Sequence, residues 1–200
     1  MGLFDDPFVD EKQAVQLVAS SEHTGLAREV ARQSIVLLKN KDKLLPLKKD
    51  IRTLAVIGPN ADNVYNMLGD YTAPQADGTV VTVLDGIRQK VSKETRVLYA
   101  KGCAVRDSSR TGFKDAIETA RNADAVVMVM GGSSARDFSS EYEETGAAKV
   151  TINQISDMES GEGYDRATLH LMGRQLELLE EISRLGKPVV LVLIKGRPLL

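Results

Sequence analysis

Tryptophan is absent from this 200-residue sequence, and four phenylalanines and five tyrosines are its only large aromatic residues. With so few rings, the chain is expected to supply only part of a binding surface built by stacking. There is a single cysteine, Cys103, so no intrachain disulfide can form. Following Gly102 after an apolar stretch, Cys103 reads as a small buried residue rather than a reactive thiol. Only two histidines occur, His23 and His170, far apart and without the neighbours that metal-ligand spacing requires, so no metal is implied. No stretch reaches the ~20 apolar residues of a membrane-spanning helix. The start, Met1-Gly2-Leu3-Phe4-Asp5-Asp6, is acidic and too short in apolar residues for a signal peptide. Nor is there an excess of one charge: 26 basic and 28 acidic residues are interspersed, for a net charge of -2. That excludes the basic stripe of a nucleic-acid binder. What remains is the composition of an ordinary globular domain, long enough for one real core.

The pattern along the chain alternates between two periods. Residues 1–22 read as a connecting segment with a short helix at most, broken by Asp5-Asp6 and Pro7. Thr24 is placed to cap a helix in which Leu26, Ala27, Val30, Ala31 and Ile35 recur at helical spacing, ending near Asn40. Leu44-Leu45-Pro46-Leu47 makes an apolar bend. Strands are expected at Thr53–Ile57, Arg96–Ala100, Asp124–Met130 and Pro188–Ile194. Helices are expected from about Asn63, at Val83–Val91, at Lys114–Asn122 and at Gly173–Leu185. Strands apolar on both faces and separated by amphipathic helices imply a parallel sheet covered on both sides, a doubly wound α/β domain. Ligands in such folds gather at the carboxyl ends of the strands. Two such ends stand out, Gly58-Pro59-Asn60-Ala61-Asp62 and the segment after Gly131-Gly132.

Neither end carries a phosphate loop. No GxGxxG or GxxxxGK[ST] is present, and Pro59 removes an N–H that a cradle would use, so no nucleotide cofactor is implied. A GxSxG elbow is missing too. The remaining chemistry lies between Gly131 and Gly173, about forty residues with little apolar periodicity. They hold Glu141, Glu143, Glu144, Asp157, Glu159, Glu162 and Asp165. A loop this long in a domain is functional or disordered; leaving a central strand, it is read as functional and mobile. Glu141, Glu143 and Glu144 read as a solvated face. Glu162 differs: Gly161 and Gly163 flank it, so the backbone can turn sharply and carry the carboxylate outward. Asp165-Arg166, Leu169 and Leu171 are expected to anchor the return to the domain. Glu159 is its nearest rival, and a merely solvated Glu162 is the competing reading.

The run Glu162-Gly163-Tyr164-Asp165-Arg166-Ala167-Thr168-Leu169-His170-Leu171, followed by Gly173 and Gln175, resembles the E-G-x-D-R-x-x-L-x-L-P-x-x-Q signature of glycoside hydrolase family 3. Three further stretches resemble that family in the same order. They are Ala31 to Asn40 with Leu44 to Leu47, Leu54 to Ala61, and Gly69-Asp70-Tyr71. Leu3 to Asp10 resembles the linker leaving the family's catalytic barrel. Met172 departs from the pattern, standing where the family has proline, and Arg136 to Met158 is longer than in compact members.

The resemblance implies a flavodoxin-like three-layer α/β domain at residues 23–200, truncated at its C-terminus, with residues 1–22 linking it to a TIM barrel the sequence lacks. It implies a retaining exo-acting β-glycosidase in which this domain supplies the general acid/base, Glu162 with Glu159 as rival, and the barrel supplies an aspartate nucleophile. The chain alone is then expected to be inactive. Glucosides, xylosides and arabinosides are all compatible substrates. The parent enzyme is expected to be periplasmic or secreted. The fragment is expected to form a homodimer or to leave an exposed sheet edge near its C-terminus. Two other readings remain open: a non-catalytic flavodoxin-like binding or scaffolding module, and an enzyme whose proton donor lies in another domain.

Overall fold

The computed structural model describes residues 2, 4–5, 7–73, 75–135, 157–163 and 165–200. Glu141, Glu143, Glu144, Tyr164 and most of the Arg136–Met158 segment lie outside them. The chain divides into two units, residues 1–46 and 47–200.

The first unit holds two helices, α1 (Glu11–Leu17) and α2 (Ser21–Ser34). Asp10 caps α1 by accepting the backbone N–H groups of Lys12 and Gln13. Ser20, not Thr24, caps α2, accepting from the N–H of His23. Thr24 sits inside the first turn, its hydroxyl donating to the Ser20 carbonyl at 2.8 Å. The helix also stops at Ser34, short of the expected Asn40, and Ile35 is already extended. Ile35 and Val36 are both β-branched, which costs side-chain freedom in a helix and favours extended backbone. A short 3₁₀ turn at Lys41–Lys43 then leads into the apolar bend, where Asn40 accepts from Leu45 N–H and donates to its carbonyl, both at 2.9 Å. No residue of either helix is buried within the chain.

The second unit is built on four parallel strands, β1 (Thr53–Ile57), β2 (Arg96–Ala100), β3 (Ala125–Gly131) and β4 (Val189–Ile194), in the order β2-β1-β3-β4. All four coincide with the sequence expectation to within a residue. Ala55 pairs with Leu98 on one side and Val126 on the other, and Met128 with Leu191 of β4. Because side chains alternate along a strand, each of the two central strands feeds two cores. Ala55, Ile57, Val126, Met128 and Met130 pack against Phe113, Ala116 and Ala120 of α5 (Phe113–Arg121) and Leu178 and Ile182 of α6 (Gln175–Ser183). Leu54, Val56, Val127 and Val129 pack on the opposite face with Ala61 and with Leu84 of α4 (Val83–Lys90). Each fully buried aliphatic side chain of this kind contributes roughly 1.5–3 kcal/mol. Cys103 joins the first core, 7% exposed.

Two consequences bear on function. The strand order reverses between β1 and β3, so the crevice for a ligand opens at their carboxyl ends. And β4 lies at the edge of the sheet with Leu191 exposed, the exposed edge that the sequence suggested near the C-terminus.

Candidate active site

Buried amides fasten both expected ligand-binding ends. After β1, Asn60 is fully buried and donates through Nδ2 to the Gly132 carbonyl at 3.0 Å. Its Oδ1 accepts from Nδ2 of Asn66 at 2.7 Å, and Asn66 Oδ1 accepts from the Ser133 hydroxyl at 2.7 Å. This relay fastens the β1 and β3 loops to each other. It also fixes the short helix α3 (Val64–Leu68), on which Asn66 sits and which Asn63 caps. Gly69 closes that helix and delivers Asp70 and Tyr71 to the crevice.

The end of β3 is tied down by Gln175, fully buried at the start of α6. Its Oε1 accepts the Gly131 N–H at 3.0 Å, while Nε2 donates to the carbonyls of Gly131 (2.9 Å) and Val105 (3.1 Å). Met172 does not disturb this: its carbonyl also accepts from Gln175, at 3.3 Å.

The two candidate carboxylates come from one turn and end in opposite environments. Glu159 is buried, its backbone N–H donating to the Ser133 carbonyl at 2.8 Å. Its Oε1 accepts from Arg166 Nη1 at 3.0 Å, with both side chains at most 4% exposed. Arg166 also donates from Nε to the Thr168 carbonyl and from Nη2 to the His170 carbonyl. Burial pushes the Glu159 carboxyl above the usual carboxylate range, opposed first by the positive charge of Arg166 and then by Arg106 and Arg197. Gly132 makes room for this carboxylate, since a Cβ there would lie 1.9 Å from Glu159 Oε1. Among the described residues, Glu159 is thus enclosed and ion-paired through Oε1, while its buried Oε2 has no hydrogen-bond partner.

Glu162, three residues on, is exposed on an open cleft of about 570 Å³, whose walls include Asp70, Tyr71, Ser134, Ser160 and Arg197. Gly161 precedes it at φ +131°, and a Cβ there would meet Met158 Cε at 2.5 Å and Asp70 Oδ2 at 2.9 Å. Only glycine allows the turn to sit this close to the opposite wall. That wall holds Glu162 twice: its N–H donates to Asp70 Oδ2 at 2.9 Å, and its Oε2 accepts from the Tyr71 hydroxyl at 3.1 Å.

The return to the domain differs from expectation in detail. Arg166 is the anchor, whereas Asp165 is exposed, paired with Arg197 Nε at 3.3 Å. The Arg166 N–H bond to Asp165 holds that carboxyl below the usual range, with Arg197 adding to it. Leu171 packs on the core, but Leu169 is 44% exposed and contributes its carbonyl, which accepts from Leu200 N–H at 2.9 Å. Sequence reasoning gave no role to Asp70, Tyr71, Gln175 or Gly132. The visible signals were the Gly69-Asp70-Tyr71 run, a polar turn just after a helix on the ligand side of the sheet, the glutamine of the signature at Gln175, and the Gly131-Gly132 strand end.

His23 and His170 are both exposed, and among the described residues no group of three or more His, Cys, Asp or Glu side chains could hold a metal ion. Chemically, the cleft offers the exposed Glu162 carboxyl group on a turn braced by the half-buried Asp70 and by Tyr71, able to exchange a proton with whatever occupies it.

Comparison with known proteins agrees with this architecture. The chain is 41% identical to a β-xylosidase of Formosa agariphila, an alignment that covers 100% of this chain and 25% of that protein. It is 34% identical to a periplasmic β-glucosidase of Salmonella typhimurium, covering 100% of this chain and 26% of the relative. The chain thus spans about a quarter of the length of these relatives. Among solved structures, a β-glucosidase from Erythrobacter marinus superposes with a TM-score of 0.76 at 35% identity, covering 99% of this chain and 27% of that one. A β-glucosidase involved in saponin metabolism from intestinal bacteria gives 0.79 at 28% identity, covering 100% and 28%. Residues 35–200 match the sequence model of the glycosyl hydrolase family 3 C-terminal domain, and the chain accordingly belongs to glycoside hydrolase family 3, as its C-terminal α/β domain.

Proposed function

We propose that this chain is the second domain of a retaining exo-β-glycosidase and that Glu162 is its general acid/base, acting on a terminal sugar held by a TIM-barrel domain that carries the nucleophile. Residues 1–22 are the connection from that barrel, and residues 23–200 the domain itself. One observation carries the assignment: of two carboxylates on one turn, Glu159 is sealed and ion-paired, while Glu162 stands on the open cleft at the strand ends, on a turn braced from across the crevice.

In the retaining mechanism two carboxyl groups lie ~5–5.5 Å apart across the glycosidic bond. Glu162 protonates the leaving oxygen while the nucleophile attacks the anomeric carbon. It then takes a proton from the water that releases the sugar. The relatives' names point to β-linked xylose or glucose as the terminal sugar. The periplasmic relative supports a periplasmic or secreted parent enzyme. Without substrate positioning or a nucleophile the chain alone is inactive.

The test is a comparison of Glu162→Ala with Glu159→Ala in the enzyme containing this chain, on unactivated disaccharides. Loss of ~10²–10⁴-fold in kcat/KM for Glu162→Ala in a folded protein is expected. Wild-type rates for Glu162→Ala would place the acid elsewhere.

A further inference from the structure

The turn that carries Glu162 is held by residues some ninety positions earlier in the chain, and that brace has a chemical direction. We infer that Tyr71 and Asp70 are positioning residues for proton transfer by Glu162; this rests on Glu162 being the acid. Asp70 Oδ2 accepts the Glu162 backbone N–H at 2.9 Å and so fixes the height of the turn. Tyr71 donates its hydroxyl to Glu162 Oε2 at 3.1 Å and so fixes the carboxyl rotamer. The brace does not swing freely. Gly69 caps α3 by an N–H to the Tyr65 carbonyl at 2.9 Å, and α3 is held by Asn66, itself bonded to Asn60 and Ser133. The strand ends therefore set where the carboxyl points.

The phenol also tells the two carboxyl oxygens apart. A hydroxyl donates best to the carbonyl oxygen of a carboxylic acid, so with Tyr71 on Oε2 the transferable proton belongs on Oε1. As that proton moves to the leaving oxygen, the carboxyl gains negative charge, and the Tyr71 bond becomes charge-assisted and stronger. An interaction that grows along the reaction coordinate accelerates the step rather than merely tightening binding. Tyr71 itself exchanges no proton with the substrate.

The test uses the enzyme containing this chain and a series of aryl and alkyl glycosides. Tyr71 is exposed, so Tyr71→Phe keeps the fold. It is expected to lower kcat/KM about 10- to 100-fold for alkyl leaving groups, and less than about 3-fold for dinitrophenolate, which departs without protonation. Asp70→Asn, which retains an acceptor oxygen, should keep most activity, while Asp70→Ala should reproduce the leaving-group dependence. An equal loss on all substrates, or no loss, for Tyr71→Phe overturns the inference. Glu162→Gln run in parallel separates the two layers: if it shows no leaving-group dependence, the acid assignment fails and the brace with it. If Glu162→Gln shows the dependence and Tyr71→Phe does not, the brace alone fails.

Discussion

Gly132→Ala puts one methyl group where the Glu159 carboxylate lies. The new Cβ would sit 1.9 Å from Oε1, 2.6 Å from Cδ and 3.2 Å from Cγ. Real Cβ contacts do not fall below 3.0 Å, so Oε1 must retreat by about 1.1 Å. The Arg166 Nη1 bond at 3.0 Å cannot survive that retreat unless the guanidinium follows, and the carbonyls of Thr168 and His170 hold it back. Two limits bracket the cost. If the pair moves together, the substitution is ordinary overpacking, about 1–3 kcal/mol. If the pair parts, a buried arginine is left uncompensated, at about 3–5 kcal/mol. The restraints on Arg166 place the expectation near 3 kcal/mol, a Tm fall of roughly 6–12 °C for a domain of this size. Urea and thermal unfolding of this chain measure it. In a Glu159→Ala background the obstruction is gone, and Gly132→Ala should cost less than about 1 kcal/mol. Equal costs in the two backgrounds, or a wild-type cost below about 0.5 kcal/mol, would refute the packing argument.

The raised Glu159 carboxyl makes stability fall as pH rises through the window above the usual carboxylate range, because there the folded state holds a proton that the unfolded state has lost. Glu159→Gln lacks that proton linkage, so urea midpoints from pH 4 to 7 should show wild type losing ground to Glu159→Gln with rising pH; parallel curves would contradict the burial. Gln175→Leu leaves the Gly131 N–H and the Gly131 and Val105 carbonyls without their partner, and should cost about 3 kcal/mol or more in thermal unfolding, whereas a loss under about 1 kcal/mol would mean water replaces the amide. Burial pushes the Cys103 thiol up to about 12, with Asp157 adding to it, so a disulfide reagent at pH 8 should label it only after denaturation; rapid labelling of the native chain would show the core to be open there.

The sheet was readable in the sequence because its strands are unusually plain. Ala125 to Met130 is apolar on both faces, and no helix-period reading fits it. The α2 boundaries differ from the sequence expectation because Thr24 and Ser20 are both good caps and apolar spacing runs on past Ser34 into residues that the backbone prefers to extend. Only Ser20 precedes the first turn it bonds. At the site, glycines on both sides of Glu162 were a local signal, whereas the burial of Glu159 was not. It depends on Arg166 folding back and on Gly132 lacking a side chain. Tyr71 and Asp70 were invisible as partners for the same reason: only the α3 crossover, anchored through Asn66, brings them across the crevice.

Azide rescue in the enzyme containing this chain tests the acid/base role of Glu162 most directly. With Glu162→Ala and a dinitrophenyl β-glycoside, the glycosyl-enzyme should still form and then stall, since no base activates water. Added azide, a nucleophile needing no base, should restore turnover and yield the β-glycosyl azide. The corresponding Glu159→Ala enzyme, if folded, should give no azide product. A Glu162→Ala enzyme that azide does not accelerate, or that gives the α-azide, would contradict the assignment.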